Sequence, residues 1–108
     1  LGASFEGFAL EMVCRAIGKD AHSVYFWRTH AGAEVDLLWQ ADGRNYAVEF
    51  KYGDAPTLTR SMRSALDDLA LAHLFVMFPG ETGYRLDERV TAVPLTAAAK
   101  PFGAWDEA

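Results

Sequence analysis

One cysteine, four prolines and ten basic residues are all that this 108-residue chain carries of those types, and each scarcity excludes something. A lone Cys14 cannot close a disulfide within the chain, and it has no partners for a structural zinc site. A reducing cytoplasm is the simplest compartment. No apolar run approaches the ~20 residues that span a bilayer. Ten Lys and Arg against fifteen Asp and Glu leave a net charge of -5. Autonomous nucleic-acid binding draws most of its affinity from cations at phosphates. Any such role must therefore rest on a local basic patch, a bridging metal or a second domain. No G-x-x-x-x-G-K loop occurs, so no ATP site of that type is expected.

What is present has the composition of a packed protein. Hydrophobic content of 51% with 13% aromatics excludes a disordered segment, and the length suits one domain with one core. The opening Leu1-Gly2-Ala3-Ser4 lacks an initiator Met, so residues 1–108 are expected to be one domain of a longer protein.

Periodicity and punctuation outline the elements. Ser4 reads as an N-cap, with a helix to about Ile17 and a stop at Gly18. Phe5, Phe8, Ala9, Met12, Val13, Ala16 and Ile17 recur at helical spacing. Residues 23–30 read as a strand rich in Val, Tyr, Phe and Trp. Residues 31–33 read as a turn, and residues 34–40 and 44–52 as two further strands. A helix over about 58–72, with Leu58, Met62, Ala65, Leu66 and Leu69 on one face, precedes a buried strand over 73–78. Two short strands over 84–86 and 90–93 follow. Residues 94–108 are Ala-rich and broken by Pro101 and Gly103, which suits a helical stub or a frayed tail. The order α-β-β-β-α-β predicts an α/β fold, a mixed sheet flanked by helices.

The sharpest pattern lies on the hairpin. If Asp42-Gly43 is its two-residue loop, Ala41 pairs with Arg44. Counting outward then sets Trp39 opposite Tyr46, Leu37 opposite Val48 and Val35 opposite Phe50, an apolar face. The other face places Asp36 opposite Glu49 and Glu34 opposite Lys51, then Leu38 with Ala47. A slip of one residue would turn the acids into the core. Two carboxylates facing each other across strands destabilise a sheet, and a divalent cation between them removes that penalty. Hard oxygen ligands such as Asp36, Glu49 and the Phe50 carbonyl suit Mg²⁺, which activates water and stabilises charge on a phosphate. Lys51 can hold the attacking water or stabilise the pentavalent phosphorus.

Each of these residues has a plainer reading beside it. A solvated sheet face carries charges anyway, and Glu34–Lys51 is an ordinary cross-strand pair. Glu6 lies on the apolar side of the first helix with Leu10, Val13 and Ile17, and can serve the site or simply favour the helix dipole. Arg28, His22, His30 and His73 suit surface, turn or packing roles. Arg63 and Asp67 have the spacing of a helix-surface pair. Trp27, Trp39 and Tyr46 suit the core or an interface.

Taken together, these residues resemble a known family. Glu6 on an opening helix, Glu34-Val35-Asp36 and Glu49-Phe50-Lys51 resemble the PD-(D/E)XK, restriction-endonuclease-like superfamily. More narrowly, the chain resembles an uncharacterised domain found at the C-terminus of prokaryotic AAA+ type ATPases. Gly2-Ala3-Ser4-Phe5-Glu6-Gly7-Phe8 resembles its G-x-x-F-E-x-F opening, and residues 28–36 its R-T-x-x-G-x-E-V-D segment. Glu49-Phe50-Lys51 stands for its E-V-K element, and Val93-Pro94-Leu95 for its closing V-x-P-L without the gap. Tyr52-Gly53 follow the lysine where the family carries small residues. The resemblance implies a restriction-endonuclease-like fold and an ATPase module elsewhere in the protein. It also implies Mg²⁺-dependent hydrolysis of nucleic acid by Glu6, Asp36, Glu49 and Lys51. The alternative is an inactive nuclease-fold module that binds a partner or nucleic acid and regulates the ATPase. A homodimer through the aromatic surface is a third reading.

Overall fold

The computed structural model describes residues 2–18, 25–28, 34–53 and 55–107. Its centre is a six-stranded mixed sheet in the order β1-β2-β3-β4-β6-β5. The strands are β1 (Tyr25–Arg28), β2 (Glu34–Ala41), β3 (Arg44–Phe50), β4 (Leu71–Phe78), β5 (Tyr84–Asp87) and β6 (Val90–Pro94). β1, β2 and β3 form an antiparallel meander, β3, β4 and β6 run parallel, and β5 closes the edge antiparallel to β6. Helix α1 (Gly2–Ile17) precedes the sheet, and α2 (Arg60–Asp68) makes the crossover from β3 to β4.

The hairpin turn is built by its two residues. Asp42 and Gly43 have φ of 53° and 75°, the left-handed pair that a type I′ turn requires and that matches strand twist. The ladder then runs as counted, from Ala41–Arg44 through Trp39–Tyr46 to Leu37–Val48. Trp39 and Tyr46 stack, with ring centroids 5.9 Å apart.

Both faces of the sheet are buried. One carries Leu37, Trp39, Val48, Phe50, Phe75 and Met77 against Ala9, Val13 and Ile17 of α1. The other carries Ala47, Leu71, Leu74 and Val76 against Met62, Ala65 and Leu66 of α2, with Leu38 packed alongside. The face expected to be charged is therefore covered by α2 over most of its length. Val35 also departs from its expected pairing with Phe50, because it packs on the α2 side while Phe50 packs on the α1 side. The cause is a bulge in β2. Tyr25 pairs with Leu38 and Trp27 with Val35, so β2 spends one extra residue there and Val35 turns over.

Other boundaries shift for local reasons. α1 is already helical at Gly2, so Ser4 lies inside its first turn, where an N-cap's non-helical backbone cannot exist. The described part of β1 is shorter than expected, and the turn at 31–33 lies outside the described residues. α2 starts late because Thr59 caps it, its extended backbone letting the side chain accept from Met62 N–H. It stops early because Ala70 sits at φ 48°. The residues after Pro94 are not frayed. They form two 3-10 helices, Leu95–Ala97 and Phe102–Glu107, and Trp105 is fully buried with its Nε1 donating to Lys100 O at 3.0 Å.

These two helix ends give opposite expectations. Thr59→Ala should lower stability by about 1 kcal/mol through the lost cap. Ala70→Gly should raise it by about 0.5–1 kcal/mol, because glycine adopts that φ without the Cβ penalty. Urea titration of each variant against the parent measures both.

Candidate active site

The carboxyl ends of β3, β4 and β6 lie along one edge of the sheet, the edge where open α/β sheets place their ligands. Glu49, Phe50 and Lys51 stand at that end of β3, and antiparallel β2 brings its own start, Glu34 to Asp36, to the same place. There the β2–β3 ladder stops. The next counted pair, Asp36 with Glu49, is not part of it. Instead Asp36 Oδ2 accepts a hydrogen bond from Phe50 N–H at 2.7 Å.

Strand geometry explains what this contact does. Lys51 N–H donates to Met77 O at 2.8 Å, on the β4 side. Successive residues face opposite neighbours and a residue's N–H and C=O face the same one. Phe50 therefore turns both its N–H and its C=O towards β2. The Asp36 carboxylate occupies the position of a ladder carbonyl, and the Phe50 carbonyl opens onto the same gap. The register expectation fails here because the bulge displaces the main chain and a side chain replaces it.

Glu49 is buried, 7% exposed, on the sheet face shared by Ala47 and α2. Lys51 lies two residues on, hence on the same face, and its Nζ is 2.9 Å from Glu49 Oε2. A buried carboxylate is costly unless paired, and the ammonium supplies the pairing. The sequence placed Lys51 against Glu34 instead. The side chains of Glu34, Glu6 and Arg28 lie outside the described residues. The Arg63–Asp67 pair gives way to Arg89, whose Nη2 is 3.9 Å from Asp67 Oδ1.

The loop after Lys51 is tied down on the far side of the sheet. Buried Pro56 accepts from the Tyr84 hydroxyl at 2.6 Å, and burial raises the Tyr84 pKa above its ordinary value. Tyr84 in turn packs edge-on to Phe78 at 5.8 Å. The Phe78 ring lies so close to Gly80 that a Cβ there would collide with it, so any larger residue at the turn leaving β4 would have to displace that ring. Tyr52, directly after Lys51, stays 46% exposed at the mouth.

The structure thus brings Asp36, Glu49, Phe50 and Lys51 into one neighbourhood. Among the described residues no three His, Cys, Asp or Glu side chains gather as a metal-holding group. Two carboxylates and a carbonyl are the available oxygen donors, a set that fits Mg²⁺, which uses one or two carboxylates and keeps its waters. A second group, Arg44, His73, Phe102 and Gly103 around a cleft at the opposite end of β3, was not assembled from the sequence. Its members come from three separate segments with no shared spacing, so no signal was there to find.

Asp36→Ala should cost about 1–3 kcal/mol by stranding the Phe50 N–H. Asp36→Asn, which keeps an acceptor oxygen, should cost clearly less. Chemical denaturation of the two variants tests whether the side chain holds the strands.

Comparison with known proteins adds the family. Residues 1–98 match the family described as domain of unknown function DUF4143, and the chain belongs to that family. The uncharacterized proteins Mb2031c of Mycobacterium bovis and Rv2008c of Mycobacterium tuberculosis are each 46% identical over 94 residues. The match covers 87% of this chain but 21% of either relative, so the chain spans about a fifth of their length. No solved structure matches. No helix among the described residues is long and apolar enough to cross a membrane.

Proposed function

We propose that this member of a family of unknown function carries a nuclease-type site at Asp36, Glu49 and Lys51, on a restriction-endonuclease-like core. The reaction class is Mg²⁺-dependent hydrolysis of a nucleic-acid phosphodiester. One observation carries the reading. A carboxylate docked on the Phe50 N–H sits one residue from a buried glutamate that is paired with a lysine, at the carboxyl end of a parallel strand. The element order α-β-β-β-α-β supports the fold assignment.

Asp36, Glu49 and the Phe50 carbonyl would hold the ion, which when bound supplies Lewis-acid stabilisation of charge on the phosphate. Lys51 pairs with the buried Glu49 carboxylate at 2.9 Å. Its half-exposed ammonium also offers hydrogen bonds to a phosphate oxygen or to the attacking water. Glu6 is proposed to orient that water from α1. The larger protein is proposed to be an AAA+ type ATPase that bears this domain at its C-terminus and works in the cytoplasm, with nucleic acid as partner and a homodimer as its assembly.

Tyr52 favours a second reading. A bulky exposed ring beside Lys51 narrows the approach to the site, as suits a module that has kept the fold, lost turnover, and binds a partner or nucleic acid to regulate the ATPase.

Millimolar Mg²⁺ or Mn²⁺ should raise the melting temperature by a few degrees, and Asp36→Asn should remove that shift. Cleavage of single-stranded DNA, duplex DNA or RNA should fall at least about a hundredfold in Glu49→Gln and in Lys51→Ala. Metal stabilisation without cleavage of any of the three selects the second reading. No metal-linked shift at all overturns the site.

A further inference from the structure

The opposite end of β3 carries a second site. A cleft of ≈ 260 Å³ opens between the sheet and the last 3-10 helix, on the face away from Glu49, with Tyr46 roughly 10 Å and Arg44 roughly 17 Å along the strand from it. It owes nothing to the acidic residues. Tyr46 and Phe75 rise from the sheet and Phe102 comes from the helix. Tyr46 and Phe102 meet edge-to-face at 5.0 Å, and Phe75 and Phe102 at 6.2 Å. The His73 ring lies 4.7 Å from Phe75, and its Nε2 is 2.7 Å from Oγ1 of buried Thr91. Arg44, exposed, stands at the mouth, and among the described residues it enters no ion pair.

Each feature narrows the ligand. The volume falls below the ~300–1,000 Å³ of sites that enclose drug-sized molecules. It suits one ring system whose substituent stays outside. Walls of aromatic rings favour a planar aromatic body, which stacks on a face or meets an edge. Half-buried Tyr46 brings a hydroxyl to those rings, and an aliphatic body would cover it without offering a partner. A heterocyclic base brings its own donors and acceptors. At the mouth, a guanidinium that no described carboxylate engages matches the forked geometry of a phosphate.

We propose that this cleft binds a nucleotide, with the base against Tyr46 and Phe102 and the phosphate on Arg44. The site is separate from the acidic one and does not rest on the nuclease reading.

Tryptophan emission reports on it directly, because Trp39 and Trp105 lie 5.6 and 5.8 Å from the Phe102 ring. Titration of the chain with adenosine monophosphate should give a saturable change. Adenosine should bind about tenfold more weakly for want of the phosphate. Inorganic phosphate and octanoate should not saturate at millimolar concentration. Arg44→Gln should bring adenosine monophosphate down to the affinity of adenosine. A Cβ at Gly103 would meet nothing within 4 Å, so Gly103→Leu should fill the cleft and abolish both, with the melting temperature retained. Phe102→Leu, which keeps apolar bulk and removes the ring, should weaken both and serves if the Gly103 variant does not fold. A 5′-phosphorylated oligonucleotide that binds more tightly than the monophosphate makes a strand end the occupant, and weaker binding makes it a free nucleotide. Both keep the assignment. It is overturned if adenosine monophosphate does not saturate at millimolar concentration, if octanoate binds equally well, or if Arg44→Gln leaves the preference for the phosphate intact.

Discussion

Beyond Leu37 and Val48 the main chains of β2 and β3 no longer bond to each other, and the contact from Phe50 N–H to Asp36 Oδ2 takes over. A main-chain carbonyl in that position would do the same work without a charge. A carboxylate forms a shorter, stronger bond but brings a negative charge next to a buried Glu49. Like charges so placed raise the free energy of the fold. Lys51, 2.9 Å from Glu49, offsets part of it.

Burial of both sheet faces decides where such charges can stand. Ala47 and Val48 are fully buried on opposite sides of β3, as are Val76 and Met77 of β4. Polar side chains are excluded from that middle and gather at the strand ends. Among the described residues the core holds two buried polar side chains, Glu49 and Thr91. In register they stand one position apart, Glu49 level with Val76 and Ala92 and Thr91 level with Phe75 and Val48, and they face opposite sides of the sheet. Glu49 belongs to the acidic site, and Thr91 anchors His73 beside the aromatic cleft. The acidic group and the cleft thus belong to opposite faces of the sheet, and the sheet itself keeps their chemistries apart.

The sequence made legible what short-range rules govern. A two-residue turn of Asp and Gly fixes its own backbone, so the register from Ala41–Arg44 to Leu37–Val48 could be counted. The neighbourhood of Asp36, Glu49 and Lys51 followed from that count. The bulge did not, because nothing in Glu34-Val35-Asp36 distinguishes a strand that continues from one that spends an extra residue. The second core face was hidden too. Leu38 and Ala47 looked like weak neighbours of charged residues, and only α2 packing over them makes them core. Trp105 was unreadable for a similar reason. Its surroundings, rich in Ala and broken by Pro101 and Gly103, carry no periodicity, yet its ring meets Trp39, Phe75 and Phe102. Tertiary contact, not local preference, orders that segment.

A net charge of -5 weighs less against a phosphate ligand than it first suggests. At physiological ionic strength charges beyond about 8 Å are largely screened, so a phosphate at either end of the sheet meets the few groups near it rather than the total. At the cleft the nearest of these is Arg44, which no described carboxylate neutralises. At the acidic end the half-exposed Lys51 is the group a phosphate would meet, with buried Glu49 behind it. The two ends therefore call for different things. The cleft presents a guanidinium that no described carboxylate engages, whereas the acidic end presents an ammonium already paired with Glu49.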